Sequence, residues 1–112
     1  MARANSIQEV FDNMCSVFVA EKAQSDKATI RFEFSGDDGG KYWVKVDHGT
    51  CAAGSGEPPE ATDMTILCNA EDWLAVSNGD LNSMQAFMAG KIKVQGNMGL
   101  ALKLNTWFKI GA

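Results

Sequence analysis

The chain has little proline, histidine or cysteine, and no long apolar run. Its 112 residues hold two prolines, one histidine and three cysteines. No stretch approaches the ~20 apolar residues that span a bilayer as a helix. The opening Met1-Ala2-Arg3-Ala4-Asn5-Ser6 lacks the apolar centre of a signal peptide. Cys15, Cys51 and Cys68 are irregularly spaced, which predicts neither a disulfide framework nor a metal site. Unpaired cysteines fit a reducing, cytosol-like compartment. Cationic charge is also scarce. The net charge of −4 and sequence pI of about 4.8 exclude the basic footprint of a nucleic-acid binder. They argue against adsorption to anionic membranes by bulk charge, but leave room for transient membrane contact through an apolar helix face.

Chemistry-bearing constellations are equally sparse. His48 follows Asp47, but neighbours on a strand point to opposite faces, so the pair is not expected to orient a base. Cys15 and Cys68 read as buried and inert, Cys51 as more exposed, with nothing beside it to activate a thiolate. Gly54-Ser55-Gly56 runs into Pro58-Pro59 instead of a helix, which removes the phosphate-loop reading. Asp37-Asp38 belongs to a turn, and Glu71-Asp72 suits a helix N-terminus. The expectation is no catalysis, no metal and no cofactor.

What is present is a single domain with a patterned core. The 46% hydrophobic fraction is that of a globular protein. Ile7, Val10, Phe11, Met14, Val17 and Phe18 recur at helical spacing and predict a helix over 6–22, with Ser6 and Glu9 as a capping box. Ile30, Phe32 and Phe34 alternate with Thr29, Arg31 and Glu33. Tyr42, Val44 and Val46 alternate with Trp43 and Lys45. The two runs predict a β-hairpin across the turn 35–40. His48 to Gly56 reads as weak strand or loop. Glu57-Pro58-Pro59-Glu60 reads as a connection, since neither side of it is large enough to fold alone. Met64, Ile66 and Cys68 mark a fourth strand. Asn69 caps a helix ended by Asn78-Gly79.

The last third is the most informative. Asn82 opens a short helix carrying Phe87 and Met88, and Gly90 ends it. Ile92 and Val94 alternate with lysines, as on a sheet edge. A final helix then carries Leu100, Leu104, Trp107 and Phe108 as a core stripe. Met98 and Leu102 lie nearly opposite that stripe. A helix apolar on two sides wants a second partner, such as a lipid, another chain or a membrane surface. The order is α, β, β, β, β, α, α, β, α. It predicts an α+β fold: one mostly antiparallel sheet with helices over a face. Taken alone, the apolar set reads as packing.

The run Met84-Gln85-Ala86-Phe87-Met88-Ala89-Gly90-Lys91, the strand and glycine after it, and Met98-Gly99-Leu100-Ala101-Leu102-Lys103-Leu104 resemble the C-terminal signature of the sterol carrier protein 2 family of nonspecific lipid-transfer proteins. Asp63 to Gly79 resembles the segment before it. The resemblance implies a five-stranded sheet covered by about four or five helices enclosing an apolar tunnel, and a non-enzymatic carrier of fatty acids, fatty acyl-CoA, phospholipid or sterol. The lining it implies is Phe32, Trp73, Phe87, Met88, Ile92 and Val94, with Met98, Leu100, Leu102, Leu104, Trp107 and Phe108 from the end of the chain. Lys22, Gln24, Lys27, Lys103 and Lys109 are candidates for the tunnel mouth. The alternative is a protein-interaction or dimerisation module using the same C-terminal helix face, as a monomer or weak homodimer. The family's peroxisomal ending is not matched by Ile110-Gly111-Ala112, and the chain begins with Met1. A stand-alone cytoplasmic protein is therefore expected.

Overall fold

A computed structural model of the chain describes residues 5–36, 39–97 and 99–108, the side chains of 83, 101, 102 and 105 excepted. Five strands form one sheet: β1 (Lys27–Ser35), β2 (Gly40–Asp47), β3 (Thr50–Ser55), β4 (Met64–Asn69) and β5 (Ile92–Gly96). Four α-helices accompany them: α1 (Ile7–Asp12), α2 (Ala70–Ser77), α3 (Ser83–Met88) and α4 (Gly99–Trp107). The spatial order is β3-β2-β1-β4-β5. β1–β2, β2–β3 and β4–β5 are antiparallel. The central pair, β1 with β4, is parallel, with Phe32 opposite Ile66. The sheet is thus mixed rather than simply a chain of hairpins.

Strand alternation decides the two faces. Ile30, Phe32 and Phe34 of β1, Tyr42, Val44 and Val46 of β2, and Met64, Ile66 and Cys68 of β4 are all buried. They join Ile7 and Phe11 of α1, Trp73 and Val76 of α2, and Leu100, Leu104 and Trp107 of α4 in one core. The other face is crossed by the connection from β3 to β4, residues 56–63. Its acids hold cations that sit at the odd, outward positions of β1 and β2. Glu57 takes Arg31 at 3.2 Å and Lys41 at 3.1 Å, and Glu60 takes Lys45 at 2.7 Å. The Asp63 carboxylate accepts the Thr29 N–H at 2.9 Å. A parallel neighbour for β1 demands such a crossover. Trp43, also outward, is half-buried and lies so close to Gly54 that a Cβ there would stand 2.8 Å from the indole.

The N-terminal helix is shorter than its apolar period suggests. It ends at Asp12, and two 3₁₀ turns follow, Met14–Val17 and Ala20–Lys22. Asn13 donates its side-chain amide to the Glu9 carbonyl, and the Ser16 hydroxyl donates to the Asn13 carbonyl. These side chains compete with the helical ladder. Phe18 then pairs with Phe108 as an isolated antiparallel bridge.

Cys15 and Cys51 form a disulfide across 36 positions, and Cys68 is a buried free thiol. This corrects the expectation of three unpaired cysteines. Pairing needed the first 3₁₀ turn to pass over the edge strand β3, a placement that spacing along the chain does not encode. The reducing compartment inferred from unpaired cysteines loses that support.

Candidate functional site

The sheet's inner face at β1 and β2 carries an aromatic cluster completed by α1 and α2. Phe11 stacks on Tyr42 at 4.7 Å and meets Phe32 edge-on at 5.0 Å. The Trp73 indole lies 5.4 Å from Phe32 and 5.9 Å from Phe34, centroid to centroid. α2 delivers Trp73 there because Asn69 caps the helix, its side-chain oxygen accepting the Glu71 N–H at 2.8 Å. Trp73 is 3% exposed, yet its Nε1 is a buried donor without an acceptor. An indole N–H usually finds a partner when buried. Leaving one unmade costs about 1–3 kcal/mol.

The other buried indole is treated differently. Trp107 Nε1 donates to Asp26 Oδ2 at 2.9 Å, and Lys103 Nζ donates to Asp26 Oδ1 at 2.8 Å. The bond from Lys103, then that from Trp107, holds the Asp26 carboxyl below its ordinary range. The Trp107 carbonyl accepts the Val19 N–H at 2.6 Å, and Phe18 lies 5.3 Å from Phe108. Together these contacts seat α4 on the turn around Ala20–Lys22.

Of the residues expected to line a tunnel, Phe32, Trp73, Ile92, Leu100, Leu104, Trp107 and Phe108 are buried in the core, and Val94 is partly buried against it. Phe87 and Met88 are not among them. α3 turns them outward, at 37% and 81% exposure. Met98 and the side chain of Leu102 lie outside the described residues, as does Lys109. Among the mouth candidates, Lys22, Gln24 and Lys27 are exposed near the turn that α4 covers, while Lys103 is engaged by Asp26. Sequence reasoning passed over Asp26, whose role depends on a partner 81 positions away. It also left Phe11, Phe34 and Tyr42 as ordinary core, although the helical stripe of Phe11 and the inward strand positions of Phe34 and Tyr42 were visible.

His48 corrects another expectation. Its Nδ1 lies 2.6 Å from Asp47 Oδ1. The alternation rule does not apply, because His48 sits in the left-handed region at φ 46° in the β2–β3 turn and not on the strand. The bond from His48 lowers the Asp47 carboxyl, helped by Lys27 and Lys45. The histidine side chain is 63% exposed. Burial pushes the Cys68 thiol up to about 11, with the Asp72 charge adding to the effect, so it is protonated at neutral pH. No group of three or more potential metal ligands occurs among the described residues.

The SCP-2 sterol transfer family model matches residues 11–109. Hydroxysteroid dehydrogenase-like protein 2 from Danio rerio is 30% identical over 101 residues, 90% of this chain and 24% of that protein. Its counterpart from Bos taurus is 32% identical over 103 residues, 92% of this chain and 25% of that protein. The chain thus spans about a quarter of the length of these curated relatives. Among solved structures, sterol carrier protein domain 2 of Helicoverpa armigera is 28% identical with a TM-score of 0.66, covering 95% of this chain and 91% of that one. Palmitated SCP2L2 from Aedes aegypti is 19% identical with a TM-score of 0.70, covering 88% and 90%. The fold also recurs in the sec-alkylsulfatase Pisa1 from a Pseudomonas species, at 17% identity and a TM-score of 0.80, covering 96% of this chain and 17% of that one. A match over residues 11–109, with an α+β fold built on a five-stranded mixed sheet, makes this chain a member of the SCP-2 sterol transfer family.

Proposed function

We propose that the chain is a non-enzymatic carrier that takes a fatty acid, fatty acyl-CoA, phospholipid or sterol into the apolar interior between the sheet's inner face and its helices. The observation that carries this reading is the unpartnered Trp73 indole N–H. A protein that only needed a packed core would place phenylalanine there, or give the donor an acceptor as Trp107 has. A lipid oxygen, whether carboxylate, ester or hydroxyl, would complete the bond. Family membership and the palmitated relative support the same chemistry.

The energetics are compatible. About fourteen methylenes at ~0.8 kcal/mol each release roughly 11 kcal/mol. Association costs about 4–15 kcal/mol in lost freedom and ordering. Most of the favourable contribution comes from the tail, so chain length should govern affinity more than headgroup identity. The dehydrogenase in the relatives' name describes proteins four times this length, and is not carried over.

Displacement of a fluorescent fatty acid tests the reading, together with native mass spectrometry of whatever co-purifies. Trp73→Phe keeps an aromatic side chain and removes the donor, with a smaller ring. It is expected to weaken binding about fivefold, the equivalent of one lost hydrogen bond, and to lower the melting temperature, because the smaller ring leaves a cavity beside Phe32 and Phe34. Absence of displaceable fluorescence and of any lipid adduct overturns the carrier reading. Unchanged affinity in Trp73→Phe with intact lipid binding removes the role of the indole alone.

A further inference from the structure

We propose that the Cys15–Cys51 disulfide is a redox latch on lipid release: its reduction by an external dithiol frees the segment that seats α4. The release step rests on the carrier reading above, whereas the latch itself is independent of it.

Residues 15–26 form an arch. One foot is the disulfide, which fixes Cys15 of the first 3₁₀ turn to Cys51 near the start of β3. The other foot stands on the β2–β3 turn. There the Ala23 carbonyl accepts the Gly49 N–H at 3.0 Å, and the Asp26 carbonyl accepts the His48 N–H at 2.8 Å. Both feet thus rest on residues 48–51. Between them the chain makes 3₁₀ turns and the isolated bridge at Phe18. A segment without a helix or strand of its own opens locally at small cost unless its ends are pinned.

The crown of the arch holds α4. Phe18 pairs with Phe108, and the Val19 N–H donates to the Trp107 carbonyl at 2.6 Å. At the second foot, the Asp26 carboxylate accepts from Trp107 Nε1 and Lys103 Nζ. α4 in turn places Leu100, Leu104 and Trp107 in the core. It therefore covers part of the apolar interior from a seat that the arch provides. Unpinning Cys15 lets the crown move, and the end of α4 moves with it. Such an opening gates ligand exchange without unfolding the sheet.

The chemistry is confined to one pair. Cys15 and Cys51 are each partly exposed. A thiolate of the dithiol attacks one of the two sulfurs, forms a mixed disulfide and expels the other as a thiolate. The second thiol of the reductant then displaces the remaining cysteine. Two electrons pass to the cystine, which takes up two protons, and the reductant leaves as a disulfide. Cys68 does not compete. It is buried and protonated at neutral pH. It also lies on β4, three strand spacings from β3, or roughly 14 Å. Reoxidation therefore restores the same bond.

Amide hydrogen exchange and release of a fluorescent fatty acid test this on the oxidised chain, the dithiothreitol-reduced chain and Cys15→Ser/Cys51→Ser. Exchange at the Val19 and Phe108 amides should quicken about tenfold on reduction, and fatty-acid release by a similar factor. The double variant should match the reduced chain and ignore dithiothreitol. Gly96→Ala strains the sheet far from the arch, against the Asp63 carbonyl, and serves as the control for general destabilisation. It should leave both rates at the parent values. Asp26→Asn weakens the seat of α4 and should quicken release with the disulfide intact. Unchanged exchange on reduction overturns the latch, and would mean that the buried Met14 pins the arch alone. Equal quickening in Gly96→Ala also overturns it, as does loss of the far-UV circular dichroism on reduction, since a latch needs a folded reduced state. Faster exchange without faster release overturns its control of lipid. Failure of the oxidised chain to bind any fatty acid counts against the carrier reading, and amide exchange still decides the latch.

Discussion

Opening the Cys15–Cys51 disulfide should cost the fold a large part of its stability. The bond links a 3₁₀ turn to edge strand β3 across 36 positions. Constraining a loop of that length in the unfolded chain is worth about 4 kcal/mol on the chain-entropy model. Unfolding entropy of about 2.1 cal/mol/K per residue over 112 residues comes to about 0.24 kcal/mol/K. Reduction should therefore lower the melting temperature by roughly 15 °C. The assay is thermal unfolding by circular dichroism with and without a phosphine reductant, repeated on Cys15→Ala/Cys51→Ala. Thiol titration of the denatured protein should find one free thiol, that of Cys68, before reduction and three after it. Three thiols in the air-oxidised protein would refute the pairing. One thiol but coincident melts would keep the bond and refute its energetic role. In a reducing compartment the lower of the two melts describes the working protein.

The Asp26 carboxyl is held low by Lys103 and Trp107, so its contribution is complete above the unfolded carboxylate range near ~3.9. It is lost as pH falls through the lower folded value. Asp26→Asn should melt below the parent at neutral pH, with the gap closing as pH falls below about 4; a gap independent of pH would contradict this. Gly96 has φ +97°, and a Cβ there would stand 2.7 Å from the Asp63 carbonyl oxygen. Gly96→Ala should cost about 1–3 kcal/mol in urea unfolding, and no loss would mean that the β4–β5 ladder tolerates the shift.

Much of the sheet was legible because strand alternation is local. Ile30, Phe32 and Phe34 are buried while Arg31 and Glu33 are not, as period two requires, but Thr29, expected on the outward face, is buried at 3% where its N–H meets the Asp63 carboxylate. The caps at Asn69 and Asn82 were equally visible, since an Asn side chain reaches only two or three residues ahead. What failed was long-range or vectorial. The Cys15–Cys51 bond and the Trp107–Asp26 bond join distant segments that no spacing foretells. The parallel seam of β1 and β4 depends on the path of residues 56–63. α3 shows a subtler limit. Spacing of i, i+3 and i+4 reveals that Met84, Phe87 and Met88 share a face, but not whether it looks inward. At the first helix the apolar period continued past Asp12, while Asn13 and Ser16 broke the ladder with their own side chains.

The crossover of residues 56–63 also sets a sequence of events during folding. β1, β2 and β3 are neighbours along the chain and can zip together early, since short loops close at small entropic cost. β4 can be added only after the intervening segment has swung across the back of that meander to reach the far side of β1. Until then β1 offers a row of unpaired amides and carbonyls to any passing strand. The late-arriving half of the molecule thus protects the early half from pairing with its neighbours, and a nascent chain stalled before Met64 would carry that open edge.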